Sequence, residues 1–351
     1  MTFQNIHPMP KIHAAVVQAA PAYLDLDASI EKCEALMVQA ARDGADLIAF
    51  PETFIPGYPW WIWQCSPAEV FAGDLIGRYF ANALDYASPQ AARLAEVACS
   101  AGITAVLGLA ERDGGSLYIG QWVIGKDGQT LLRRRKLKPT HVERSVFGEG
   151  DGSDLAVVDS AVGRLGALCC WEHLQPLSKF AMYAQNEQIH VAAWPSLASG
   201  EGRALYSLGY EVNNAASQIY AAEGGCFVLA PCATISEAMV DVVCGESPQA
   251  RTRFKPGGGR AMIYGPDGRP LSEPRDPHWE GLIHAELDLS LIAVAKSAAD
   301  PAGHYARPDV TQLLINRAPR RVVVERAGEA AAAIPKPGEN TYEPSASNGA
   351  A

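Results

Sequence analysis

"GRLGALCCWEH" (residues 163–173) is an apolar run that ends in two adjacent cysteines followed by Trp, Glu and His. With no alternation of polar residues, it reads as a strand covered on both faces. Similar runs recur along the chain: "IHAAVVQAA" (12–20), "ADLIAFPE" ending at Glu52, "ITAVLGLAE" (103–111), "IHVAAWPS" (189–196) and "CFVLAPC" (226–232). Between them the apolar spacing becomes helical, at 25–43, 91–102 and 204–223. Two further stretches, "GQWVIGKDGQTLLRRRK" (120–136) and "GGRAMIYGPDGRPLSEP" (258–274), each run strand, Gly-x-Asp-Gly turn, strand. The repeated design predicts two related halves stacked as a single α/β domain in four layers, α-β-β-α, over residues 12–326. A loosely held N-terminal arm (1–11) should precede it, and the Ala-, Pro-, Gly- and Ser-rich stretch 327–351 is expected to be disordered.

Bulk properties narrow the functional classes. The 351 residues are 48% hydrophobic and 19% charged, enough to bury a large core. Lys plus Arg number 29 against 39 Asp plus Glu, a net charge of −10, which disfavours nucleic acid and anionic membranes as partners. The one basic run, "RRRK" at 133–136, is short and lies within a folded pattern. No secretory signal and no membrane span is expected. Eight cysteines in such a chain read as reduced thiols, so a cytoplasmic enzyme is expected.

Ligands of α/β sheets bind beyond the carboxyl ends of strands. Three reactive groups stand at such ends: Glu52 in "LIAFPETFIPGYPWW", Lys136 in "LLRRRKLKPTHVER" and Cys170 in "LGALCCWEH". Each alone also fits a plain role, as a solvated strand end, a surface lysine or a small core residue.

With "FPETFIPGYPWW" around Glu52, "RRKLKPTHVER" around Lys136, "GRLGALCCWEH" around Cys170 and "GHYARPDV" from Gly303, the chain resembles the nitrilase branch of the carbon–nitrogen hydrolase superfamily, over roughly residues 12–316. The resemblance implies an α-β-β-α sandwich and a catalytic triad of Glu52, Lys136 and Cys170, with Glu143 as a second carboxylate. Lys138 is the rival lysine, but the family's catalytic lysine directly follows the Arg of its "RK" pair, hence Lys136. It further implies hydrolysis of a nitrile to its carboxylic acid and ammonia with no metal or organic cofactor. The helix expected in "LQPLSKFAMYAQNEQ" (174–188) is implied to build a homodimer interface, and dimers to extend into a larger spiral or filament. "RRVVVERA" (320–327) reads equally as an interface strand or a surface strand.

On this reading the tandem cysteines separate. Neighbours in a strand face opposite ways, so a Cys170 turned to the site sends Cys169 into the layer behind, where it should be inert. A metal site from Cys170, Glu172 and His173 would splay its ligands along a strand and lacks a second ligand pair. A papain-like Cys170–His173 pair would leave Glu52 and Lys136 without a task. In the expected mechanism Glu52 takes the thiol proton, Cys170 attacks the nitrile carbon to form a thioimidate, and Lys136 stabilises charge growing on nitrogen. Glu143 keeps Lys136 charged and in place. Water then releases ammonia and, through an acyl-thioester, the acid. Substrate contacts are expected from the aromatic stretch "PGYPWWIW", chiefly Tyr58, Trp60 and Trp61, and from Trp171, His173, Trp194 and Pro195. They favour a sizeable arylaliphatic or aliphatic nitrile. An amidase or carbamoylase of the same superfamily is the rival enzyme, and an inactive binding or scaffold homologue is the rival of another class.

Overall fold

The computed structural model describes residues 10–198, 200–201 and 205–324. The expected arm up to residue 9 and the tail from 327 lie outside the described residues. The chain divides into two units, Met1–Ala318 and Pro319–Ala351. In the described part of the second, residues 319–324 are exposed and irregular, so no strand forms over 320–324. Three valines supply strand propensity there, but propensity without a pairing partner does not make a strand.

The first unit carries thirteen strands among its described residues. They are β1 (Lys11–Ala19), β2 (Leu47–Ala49), β3 (Thr104–Asp113), β4 (Ser116–Ile124), β5 (Thr130–Arg135), β6 (Phe147–Gly148), β7 (Val157–Ser160), β8 (Gly163–Cys169), β9 (Ile189–Ala193), β10 (Phe227–Ala230), β11 (Cys232–Ala233), β12 (Met262–Tyr264) and β13 (Gly281–Asp288). One sheet runs β11-β1-β2-β3-β4-β5, with β13 on β1 and β6 on β4; the other runs β12-β10-β9-β8-β7. The duplication is visible in the pairing. β1, β2 and β3 are mutually parallel with antiparallel β4 beyond, and β8, β9 and β10 are parallel with antiparallel β12 beyond. An antiparallel strand closes the opposite side of each set, β13 on β1 and β7 on β8.

Side-chain alternation makes the layers. In β1, Ala14 and Val16 join the core shared with the second sheet, whereas Ala15, Val17 and Ala19 face outward onto Ile30, Cys33, Met37 and Leu94 of the helices Leu26–Arg42 and Pro89–Ala101. Asp25 caps the first helix by accepting from the Ala28 N–H, and Ser88 caps the second through Ala91. Ile30 and Met37 are fully buried, each worth about 1.5–3 kcal/mol, so an Asp at position 30 would strip the sheet of its outer cover. On the second sheet, Tyr183, Ala216, Tyr220 and Ala221 from helices Pro176–Tyr183 and Tyr210–Gly224 pack on the strands. No helix among the described residues is long and apolar enough to cross a membrane.

Three expectations differ in detail. The second hairpin keeps only one strand; its return arm makes a single bridge, Tyr264 to Pro270, because prolines 270 and 274 have no N–H for a ladder. The helix expected from 204 begins at Tyr210, behind Gly209 and a short 3₁₀ turn at Tyr206–Leu208. The cysteine strand stops at Cys169, and Cys170 opens a 3₁₀ turn, Cys170–Leu174.

Candidate active site

Glu52 lies three residues past β2. Phe50 N–H still donates to Val106 O (2.9 Å), but Glu52 N–H crosses to Trp194 O of the other sheet (3.3 Å). The crossing requires glycine at 108, where a Cβ would stand 1.9 Å from Pro51 O. Its carboxylate is buried; Oε2 accepts from Lys136 Nζ at 3.2 Å, and Oε1 has no hydrogen-bond partner among the described residues. Burial lifts Glu52, the Lys136 ammonium partly offsets this and the Glu143 charge adds to it, leaving the carboxyl at about 8.

Lys136 is the first residue beyond β5, held by its N–H on Ile119 O (2.7 Å). Nζ also donates to Glu143 Oε2 at 2.8 Å. Burial works against the ammonium, but Glu143 and Glu52 outweigh it, so Lys136 titrates well above its ordinary value and stays charged. Glu143 sits in the 3₁₀ turn His141–Ser145, where Oε2 also accepts from Thr140 N–H (2.6 Å) and Oε1 from Tyr58 Oη (2.8 Å). Trp63 Nε1 in turn donates to Tyr58 Oη at 3.1 Å. An unbroken path thus joins an indole to the ammonium.

Cys170 has φ +45°, a left-handed conformation costing a non-glycine residue about 1–3 kcal/mol. Only 8% of it is exposed. Burial and then the Glu52 charge push its thiol well up, against the pull of Lys136 and of the Trp171 backbone N–H. The sulfur is therefore a thiol at rest, under the direct influence of both charged partners. It opens on a cavity of about 570 Å³ walled in part by Tyr58, Trp60, Trp63, Trp171, Pro195 and Phe254.

Cys169 points elsewhere. It belongs to the buried cluster of Trp61, Tyr79 and Phe147, its sulfur accepting from Arg134 Nη1 at 3.8 Å, whereas Cys170 belongs to the core between the sheets. The separation does not come from strand pleating, as the sequence suggested, because Cys170 has left the strand; the turn after β8 produces it. Glu172 staples that turn. It accepts from Arg134 Nη2 (2.7 Å), Leu137 N–H (2.9 Å) and Cys169 N–H (2.7 Å). Burial would raise Glu172, yet the Arg134 guanidinium and these donors hold it below the usual carboxylate range. Glu172 and His173 are thus engaged away from the Cys170 sulfur, and among the described residues no three His, Cys, Asp or Glu side chains are grouped to hold a metal.

Three of the expected substrate contacts are off the cavity wall. Trp61 is fully buried, edge-on to Tyr79 (centroids 6.1 Å apart). Trp194 is buried and donates to Ser217 Oγ (2.8 Å). His173 is buried behind Cys170, with Nδ1 2.6 Å from Cys170 O.

Residues 13–297 match the carbon–nitrogen hydrolase family model. The chain belongs to this family. It is 56% identical to a nitrilase of Pseudomonas syringae pv. syringae (strain B728a), over 90% of this chain and 92% of that one. It is 48% identical to an arylacetone-specific nitrilase of Alcaligenes faecalis, over 87% and 85% of the two chains. These relatives set it in the nitrilase branch. Its fold is shared by a carbon–nitrogen hydrolase of Helicobacter pylori G27, with TM-score 0.66 at 20% identity over 86% of this chain and 97% of that one.

In this carbon–nitrogen hydrolase the sequence reading singled out Trp61 rather than Trp63 within the aromatic stretch, and missed Phe254 as a wall residue. Trp63 was legible: Trp60–Trp63 is a 3₁₀ turn, so residues three apart share a face and Trp61 takes the other. Phe254 follows the short helix Pro248–Arg253, far along the chain, and no local pattern signals it.

Proposed function

We propose that this carbon–nitrogen hydrolase is a nitrilase, converting an organic nitrile and two waters to the carboxylic acid and ammonia, with Cys170 as nucleophile. The observation that carries the reading is the buried Lys136 ammonium clasped by Glu52 and Glu143, the charges of all three acting on Cys170, the one cysteine among the described residues on the cavity wall. Glu52, its basicity raised towards that of a thiol, takes the Cys170 proton through its unpartnered oxygen as sulfur bonds to the nitrile carbon. Lys136 stabilises the charge growing on nitrogen, and the thiol proton, relayed by Glu52, ends there as a thioimidate. Water adds, ammonia leaves and a thioester remains; a second water releases the acid and restores the thiol. Glu143 reaches the cavity wall but takes no part in the proton transfers. It holds the ammonium charged and aimed.

The tryptophan-rich wall favours an arylaliphatic nitrile, the ring stacking on indoles while the short alkyl link reaches the sulfur. The relative named arylacetone-specific supports the same class. Arylacetonitriles, aliphatic nitriles and the matching amides, assayed for acid, amide and ammonia, test this. Nitriles should be turned over with arylacetonitriles ahead, and faster hydrolysis of the amides would make the protein an amidase. Exposed Leu177 and Ile219, on helices Pro176–Tyr183 and Tyr210–Gly224, support self-association into a dimer and a longer spiral. Light scattering should find no monomer. Eight free cysteines support a cytoplasmic setting.

A further inference from the structure

Behind Cys170, away from the cavity, four buried side chains form an unbroken hydrogen-bonded row. His173 Nδ1 meets Cys170 O at 2.6 Å, and its Nε2 meets His190 Nε2 at 2.9 Å. His190 Nδ1 meets Glu187 Oε1 at 2.7 Å, and Tyr220 Oη donates to Glu187 Oε2 at 2.6 Å. None of the four is more than 2% exposed, and none lines the cavity. The His190 ring stacks on Tyr220 with centroids 3.8 Å apart. The row also explains the glycine that opens "GALCCWEH": a Cβ at Gly166 would stand 1.9 Å from Glu187 Oε1, so only glycine leaves room for the carboxyl.

Hydrogen-bond chemistry fixes the direction of the row. A carbonyl oxygen only accepts, so His173 Nδ1 carries a proton. With every group uncharged, Glu187 Oε1–H donates to His190 Nδ1 and His190 Nε2–H donates to His173 Nε2. His173 Nδ1–H then donates to Cys170 O. This arrangement separates no charge in a low-dielectric interior and satisfies each member. Burial acts in the same sense, pulling His173 down to about 3 and lifting Glu187 to about 8. The carbonyl at the end of the row belongs to the same planar amide as the Trp171 N–H, next to the left-handed φ of +45° at Cys170.

We propose that Tyr220, Glu187, His190 and His173 are a positioning relay that aims and polarises the Cys170–Trp171 amide, and so fixes Cys170 in the left-handed conformation that presents its sulfur to the cavity. The contact to the carbonyl restrains that peptide plane, and drawing density from the oxygen strengthens the Trp171 N–H as a donor to negative charge developing near it. The inference rests on Cys170 being the nucleophile.

Glu187→Gln and Glu187→Met, close in volume, test it. Gln offers an N–H to His190 and an oxygen to Tyr220 and so preserves the direction of the row; Met offers neither. Full-length enzyme is assayed for kcat, KM and the rate of iodoacetamide alkylation at Cys170, normalised to titratable Cys170. E187M should lose about tenfold or more in kcat and in alkylation rate with KM nearly constant, and E187Q should recover most of the loss. Wild-type kcat in E187M, or equal impairment in E187Q, overturns the relay. If E187M does not fold, Tyr220→Phe replaces it. A kcat loss of about threefold at constant KM then supports the relay, and wild-type kcat overturns it. Cys170→Ala separates the two claims: an active C170A defeats the nucleophile reading itself, whereas an inactive C170A beside indistinguishable Glu187 variants defeats only the relay.

Discussion

Two polar clusters flank Cys170, and they are built on opposite rules. On one side Glu52, Lys136 and Glu143 bury two carboxylates around one ammonium and leave Glu52 Oε1 without a partner among the described residues. On the other, His173, His190, Glu187 and Tyr220 bury a row in which each group finds a hydrogen bond. Burying charge is expensive unless the ions are paired, and an unmet acceptor adds to the expense. A protein sustains that condition where protons and charge must move. Where a group needs only to be oriented, the cheaper solution of complete, neutral satisfaction suffices.

The contrast can be broken at several points. Cys170→Ala should lower kcat by at least about 10⁴-fold, as loss of a nucleophile does, measured as ammonia release under saturating nitrile. Lys136→Arg should cost about 10²–10³-fold, because a planar guanidinium cannot occupy the compact ammonium site between two carboxylates; retention of wild-type turnover would show that Lys136 supplies charge without geometry. Arg134→Met should leave Glu172 charged and unpaired in the interior, lowering stability by about 3–5 kcal/mol in urea unfolding. The pH profile sharpens the comparison from the proton side. With Glu52 raised to about 8, the basic form is the competent one, so kcat/KM should fall as pH drops below about 8, with the slope of one proton. A limb in the ordinary carboxylate range would place Glu52 in a wet site instead. Smallest of all, Cys169→Ala should change kcat by less than about twofold, since its sulfur packs away from the cavity, and a large loss would merge the two cysteines' roles.

Much of this was legible in the chain. The uninterrupted apolar strands and twin hairpins gave the layered architecture, because two-face burial leaves a compositional mark. Strand ends located Glu52, Lys136 and the cysteine pair, since a parallel sheet presents its chemistry there. What sequence did not give was set by partners distant along the chain. Arg134 stood in a short basic run and Glu172 in a metal set that the spacing ruled out, and nothing local pairs them, yet they form one buried ion pair with side chains no more than 4% exposed. His173 looked like a pocket residue because nothing nearby announces His190 or Glu187 as its partners. The return arm of the second hairpin failed for a reason present in the sequence, its two prolines.

The indole of Trp63 stands on the cavity wall and is also the first link in the path through Tyr58 and Glu143 to Lys136. Selectivity and speed therefore share a component. Trimming that tryptophan to admit a bulkier guest also slackens the grip on the ammonium, so variants with a widened mouth should trade turnover for breadth, and a compensating change at Tyr58 or Thr140 would be needed to uncouple the two.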